Sequence, residues 1–299
     1  MKTDFPIFKT CSLSAFSSEE IYVSRFSAYI KCNKNLLQPH RHSFYHLAFF
    51  TEGKGMHTID FTNFEIKSQQ IYFMVPGQIQ NYICEDDVEG YVINFSVPFF
   101  SSFLLMPNYI EQFPYFTGAL ANSVIDIPPH LRTEITSLFD GILRESDHRD
   151  KMGMDMLKAM MIQLFIRIGR LTSHVPTHQV HSYKFFLFRK FLKLLEANLE
   201  VVKFPRDYAD MLFITPNHLN SLCNEILGRS TGEMIRDRLI LEAKRLIVNY
   251  ELSISEISNK LNFYDNSYFT KFFKKHTSMT PEEFRNTIKL HEDCACTSV

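Results

Sequence analysis

Three groups of side chains in this 299-residue chain have the types and spacing to do chemistry. Two are polar faces of short segments near the C-terminal end. Asn217, Asn220, Ser221 and Asn224 recur at i, i+3, i+4 and i+7 and so share one face of a helix. Asn266, Ser267, Thr270, Lys271 and Lys274 form a similar face, because Phe269, Phe272 and Phe273 must turn inward, as Leu219, Leu222 and Cys223 do in the first segment. A carboxamide can hydrogen-bond two atoms of adenine's edge, a hydroxyl can reach bases or phosphates, and an amine suits guanine. A polar helix face is by itself only a solvated surface. The third group is His40-x-His42-x3-His46. Three neutral imidazoles can hold zinc, iron or nickel, or can be polar groups on a strand with no metal at all.

The two polar faces sit in a pattern that occurs twice. The first copy runs Tyr208-Ala209-Asp210-Met211-Leu212, a turn Phe213-Ile214-Thr215, then a helix. The second runs Ile257-Ser258-Asn259-Lys260-Leu261, a turn Asn262-Phe263-Tyr264-Asp265, then a helix. Leu212 and Leu261 are 49 residues apart, while Leu219 and Phe269, and Thr231 and Pro281, are 50 apart, so the second turn has one extra residue. Each copy reads as a helix-turn-helix, and two on one rigid body could reach neighbouring stretches of major groove. A helix at Gly232–Asn249, with Ile235, Leu239, Ala243, Leu246 and Ile247 on its buried side, joins them. Ser253 or Ser255 can cap the next helix with Glu256 in its first turn, and Thr280-Pro281-Glu282-Glu283 starts another. Before the first copy, Phe185, Phe188, Leu192 and Leu195 form the stripe of a helix ending before Pro205.

The charge is divided along the chain. Residues 184–291 carry 17 Lys and Arg against 13 Asp and Glu, a net of +4, while the rest carries 15 against 20, a net of −5. A basic end on an acidic partner suits phosphate binding at that end alone. Six cysteines are scattered without a disulfide framework: Cys223 falls on an apolar helix position, and Cys294 and Cys296 form a tail pair to which no role is assigned. No leader or membrane-spanning run is expected, and the chain reads as cytoplasmic.

The elements that must carry the histidines are built differently. Short runs rich in Phe, Tyr, Ile and Val at Phe44–Thr51, Met56–Phe61, Glu65–Lys67, Gln70–Val75 and Val88–Phe95 read as strands, with hairpin turns at Glu52–Gly55 and Thr62–Asn63. This pattern predicts an antiparallel β-barrel or sandwich at about 20–98, a barrel being the form expected. From Pro128 the period becomes helical, predicting a helical hairpin at about 129–171 with a Met-rich stripe (Met152, Met154, Met156, Met160, Met161). The expected fold is α+β with two domains: 1–172, a linker at 173–182, and an all-α domain at 183–291. His40, His42, His46, Tyr72, Gln80 and Asn94 are polar residues on apolar strands. Alternation leaves each facing either a ligand cavity or solvent.

Residues of roughly 185–290 resemble the AraC/XylS family of transcription regulators. The resemblance rests on Arg238-Leu239-x3-Ala243-x2-Leu246-Ile247, then Ile254, Ile257 and Leu261. It continues through Phe263-x-Asp265-x-Ser267-Tyr268-Phe269-x3-Phe273-Lys274-Lys275 and closes on Thr280-Pro281-x2-Phe284-Arg285. Three positions depart from the family: Ser258 where Ala is usual, and Asn262 and Ser278 where Gly is usual. The resemblance implies base contact from Asn217, Asn220, Ser221, Asn266, Ser267 and Lys271. Arg206, Thr215, Lys274, Lys275 and Arg285 are expected phosphate anchors, and Arg238 a structural ion-pair residue. The N-terminal part resembles, more loosely, the cupin-like sensory domain of that family. His40-x-His42-x3-His46-x6-Gly53 follows the cupin metal spacing with His where Glu is usual, and Gln80 stands where a further His ligand is expected. The resemblance therefore implies a regulator of double-stranded DNA with no catalytic role and no bound metal or other cofactor. A small-molecule effector, RNA polymerase and a second copy of the chain are its candidate partners. The rival reading is a metal-dependent cupin enzyme fused to a DNA-binding tail, with His40, His42 and His46 as ligands.

Overall fold

The computed structural model describes residues 7–8, 20–84, 87–101, 103–104, 109–148, 150–172 and 183–296; the linker expected at 173–182 and Cys11 lie outside these, as do the side chains of Cys294 and Cys296. The chain divides near residue 174 into two compact units.

The N-terminal unit runs β1 (Ile7–Phe8), β2 (Ile21–Arg25), α1 (Phe26–Cys32), β3 (His40–His42), β4 (Tyr45–Glu52), β5 (Gly55–Ile59), β6 (Thr62–Ile66), β7 (Gln70–Met74), β8 (Ile79–Cys84), β9 (Glu89–Phe95), β10 (Val124–Asp126), α2 (Arg132–Glu145) and α3 (Lys151–Thr172). Two five-stranded sheets form, ordered β1-β3-β8-β5-β6 and β10-β7-β4-β9-β2. The antiparallel barrel or sandwich expected here takes the form of this pair of sheets, and the short β1–β3 pairing is parallel. All other pairings are antiparallel.

The second sheet is buried on both faces, which explains the nearly unbroken apolar runs of β4, β7 and β9. Ala48, Phe50, Tyr72, Met74 and Val92 look toward the first sheet and pack with its Ile59, Ile66 and Tyr82. Their neighbours Leu47, Phe49, Ile71, Phe73, Ile93 and Phe95 look the other way, onto Phe139, Leu157, Met161 and Phe165 of the helical hairpin. Phe49 stacks on Phe139 with ring centroids 4.8 Å apart. Gly90 lies so close to β4 that a Cβ would meet the Phe49 carbonyl at 2.0 Å. Of the methionine stripe, Met161 is core, whereas Met152 and Met156 are exposed.

One turn differs from expectation. Ile59 pairs with Thr62, so Thr62 and Asn63 open β6 and the turn is Asp60–Phe61, both left-handed (φ 44° and 68°). Such a two-residue loop matches the twist of the strands it joins. Asp60 is held there by its carboxylate, which accepts from Gln78 Nε2 at 2.8 Å and the Ile79 N–H at 3.2 Å.

The C-terminal unit runs α4 (Tyr183–Asn198), α5 (Pro205–Met211), α6 (Pro216–Leu227), α7 (Thr231–Ile247), α8 (Ile254–Lys260), α9 (Asn266–Thr277) and α10 (Pro281–Cys296). One continuous core joins α4 to α9, with Leu219, Leu222, Leu239, Ala243, Ile257, Phe269 and Phe273 in contact through it. Capping boxes start α7 (Ser230 with Glu233) and α8 (Ser253 with Glu256), each satisfying two backbone donors. Arg238 makes the expected structural pair, holding Glu196 of α4 at 2.6 Å and Glu242 at 3.3 Å. No helix among the described residues is long and apolar enough to cross a membrane.

Candidate nucleic-acid interface

Each copy of the repeat is a short helix, a tight turn and a longer helix with one polar face. On α6, Leu219, Leu222 and Cys223 are buried, while Asn217, Asn220, Ser221 and Asn224 are exposed. On α9, Phe269 and Phe273 are buried, Thr270 is half-buried, and Asn266, Ser267, Lys271, Lys274 and Lys275 are exposed. The starts of both helices are fixed by side chains: Thr215 accepts from the His218 N–H at 3.2 Å, and Asp265 from the Tyr268 N–H at 2.7 Å. The hydroxyl proton of Thr215 stays available to a phosphate. Arg206 is exposed on α5, with Asp210 at 3.9 Å.

Two residues of the expected set have further work inside the protein. The Asn220 carboxamide oxygen accepts the Thr231 N–H at 3.1 Å, which ties the reading helix α6 to the start of α7. That bond uses one of the oxygen's two lone pairs and leaves the NH₂ group outside it. Arg285 departs from the phosphate-anchor expectation. Its half-buried guanidinium donates to the Ile247 carbonyl at 2.9 Å and the Leu252 carbonyl at 2.7 Å, clasping the junction of α7 and α8. A guanidinium engaged by two carbonyls at a helix C-terminus serves the fold.

The three departures from the repeat pattern are explained by position. Ser258 is buried with its hydroxyl unpartnered, where an alanine methyl would leave nothing unsatisfied. Asn262 and Ser278 both have left-handed backbones (φ 52° and 67°). Gly228 adopts the same conformation (φ 68°) at the end of α6, where Ser278 stands at the end of α9. Phe213, in the first turn, is left-handed too (φ 57°) and almost fully exposed. That feature was not legible from pattern alone, since Phe rarely takes this conformation.

In the N-terminal unit, His40, His42, His46, Tyr72, Gln80 and Asn94 are all buried between the sheets. They form a cluster with neighbouring rings instead of lining an open surface: His42 lies 4.7 Å from His40 and 5.1 Å from His46, and His57 lies 5.1 Å from Tyr72, centre to centre. His46 Nδ1–H donates to Asn94 Oδ1 at 2.6 Å, and its Nε2 accepts the Tyr82 hydroxyl at 2.7 Å. Gln80 Nε2 donates to His42 Nδ1 at 2.8 Å, and Gln80 Oε1 accepts from His57 Nε2 at 3.0 Å. His40 Nδ1–H donates to the Gln38 carbonyl at 2.8 Å. Tyr72 turns its hydroxyl to the Glu65 carbonyl at 2.9 Å. His57, Tyr29 and Tyr82 complete the cluster and were not singled out in the sequence. The parity of His57 with the inward Ile59 was the signal.

Burial holds the His40 imidazole down at about 4 and His46 at about 3, and keeps His42 and His57 well below the ordinary 6.5. All four are therefore neutral near pH 7. His46 Nε2 has given its lone pair to Tyr82 and His42 Nδ1 to Gln80, while His40 Nε2 and His57 Nδ1 are buried without a partner. Among the described residues no group of three His, Cys, Asp or Glu is arranged to hold a metal ion.

Comparison with known proteins matches the two parts of the chain to separate family models. Residues 26–159 match the model of an AraC-like ligand binding domain, and residues 208–287 that of a helix-turn-helix domain. The chain is similar to the transcriptional regulatory protein YesN of Bacillus subtilis, with 38% identity over 78 residues, 25% of this chain and 21% of YesN. It is also similar to the transcriptional activator RhaR of Salmonella arizonae, with 22% identity over 262 residues, 85% of this chain and 88% of RhaR. Among solved structures, fatty-acid-bound ToxT of Vibrio cholerae aligns over 89% of this chain and 93% of its own, at 13% identity and a TM-score of 0.43.

Proposed function

This chain belongs to the AraC/XylS family of transcription regulators, a DNA-binding helix-turn-helix unit with an N-terminal ligand-binding unit, and on that premise we propose how its parts divide the work. The α6 and α9 faces read bases in two neighbouring stretches of major groove, through Asn217, Ser221 and Asn224 on one helix and Asn266, Ser267 and Lys271 on the other. Asn220 contributes through its NH₂. Thr270 flanks the second face, and Arg206, Thr215, Lys274 and Lys275 bind phosphates and set the register. The single observation that carries this reading is the pair of exposed polar helix faces built on one shared core.

An effector at the N-terminal unit controls which half-sites are engaged together, acting through the cluster of His40, His42, His46, Tyr72, Gln80 and Asn94. Exposed Met152 and Met156 on α3 support a second copy of the chain as a partner. RNA polymerase and a cytoplasmic location follow from the role of a regulator, and the protein carries out no catalysis.

The test is selection of duplexes from a random DNA pool by the full chain. Asn217→Ala and Lys271→Ala should each weaken binding of the selected duplex at least about fivefold, the low end for a lost base contact. Thermal stability should stay unchanged. Wild-type affinity in both variants refutes the assigned faces.

A further inference from the structure

The two reading units are joined by α7 through the shared core, but a second connection runs across the surface. The loop after α4 reaches the turn of the second helix-turn-helix. Lys203 Nζ donates to the Asn262 carbonyl and lies 4.3 Å from the centre of the Phe263 ring. In return, Asn262 Nδ2 donates to the Val201 carbonyl at 3.2 Å. At the edge of this patch Lys260 Nζ lies 4.0 Å from Glu200. Residues 200–203 lead directly into α5, the first helix of the first unit, so the patch spans from one unit to the other.

Lys203 is half-buried here, and its desolvation lowers the pKa of its amine, so the ammonium is held in place at some cost. Asn262 has a left-handed backbone, φ 52°, which Asn tolerates and glycine adopts freely. Only a residue with a side chain can make the bond to Val201.

We propose that Lys203 and Asn262 are positioning residues that set the spacing of DNA half-sites the protein accepts, by strapping the second reading unit to the loop that begins the first. The proposal rests on the reading of α6 and α9 as base-contacting helices. Neither residue lies on those faces, so loss of the strap leaves the readers intact and frees their relative orientation. One base pair inserted between half-sites turns the second by about 35° and shifts it by about 3.4 Å. A strapped pair of readers rejects that change, and an unstrapped pair tolerates it.

The probe is the duplex selected by wild-type full-length protein, with two derivatives carrying one base pair inserted or removed between the half-sites. Wild type should prefer the selected spacing by about tenfold or more, a factor similar to one mismatched pair. In Lys203→Met with Asn262→Gly this preference should fall below about threefold while the selected duplex is still bound, and in Asn262→Gly alone, which keeps the carbonyl that Lys203 holds, it should fall measurably but less. Glycine adopts the left-handed backbone of residue 262 without a Cβ clash, so the single variant keeps the turn and serves if the double variant does not fold. A preference unchanged from wild type in Asn262→Gly and in the double variant overturns the strap. So would a loss of affinity equal at all three spacings, since that is what a merely structural role gives. If wild type selects no duplex, it is the DNA-binding reading that falls.

Discussion

Lowering the pH from 7.5 to 5.5 should destabilise the N-terminal unit through its buried histidines. The folded unit excludes protons from His40, His42, His46 and His57, whereas the unfolded chain takes them up at the usual 6.5. Below pH 6.5 the unfolded state therefore binds more protons, and stability falls as pH falls. At pH 5.5, one unit below that value, each excluded proton costs about 1.4 kcal/mol, so the four together cost about 5 kcal/mol. For a unit of this size the melting temperature should drop by about 10 °C or more. Scanning calorimetry of the full chain at several pH values measures this, and His57→Phe should remove about a quarter of the slope. With no Trp in the chain, near-UV circular dichroism follows the tyrosines, of which Tyr29, Tyr72 and Tyr82 are fully buried beside the cluster. Ring-proton NMR of the folded protein gives the direct check. A His46 imidazole titrating near 6.5, or an N-terminal transition constant between pH 7.5 and 5.5, refutes the reasoning.

Two further outcomes concern the C-terminal unit. Ser258→Ala should stabilise it by about 1 kcal/mol, by removing a buried hydroxyl that has no partner, and Ser278→Gly should add a similar amount by relieving a left-handed backbone. Urea melts of both variants test this, and a lowered midpoint in either contradicts the assignment. Arg285→Met should lower the midpoint by about 2 kcal/mol, through the loss of two charge-assisted bonds, while leaving the salt dependence of DNA binding unchanged. A salt slope reduced by about 0.9 with unaltered stability would instead make Arg285 a phosphate anchor.

The helical half was legible because its periodicity and caps agree. The inward Leu and Phe positions on α6 and α9 fix the outward set, and Ser253 with Glu256 marks a helix start. The strand half was legible only where runs were long. β4, β5, β7 and β9 were found and β6 in part, but β1, β2, β3, β8 and β10 were not, since very short strands and mixed strands such as Ile79–Cys84 give no clear alternation. Whether His46 faced inward was also hidden, because β4 is buried on both sides and offers no polar face as a reference, while β3, which carries His40 and His42, is too short to show one. The hydrogen bonds of Asn220 and Arg285 depend on chain segments 11 and 33 to 38 residues away, and no local pattern carries them.

The middle sheet has one consequence beyond its packing. Along β4, His46 belongs to the polar cluster while the adjacent Leu47 is pressed against the hairpin side, with only the main chain between them. Dense interiors resist compression, so a strand cannot shift to suit one side without displacing the other. A molecule that rearranged the imidazoles would therefore move the floor under α2 and α3 by the same amount, making the sheet a stiff diaphragm between a chemical input and a mechanical output.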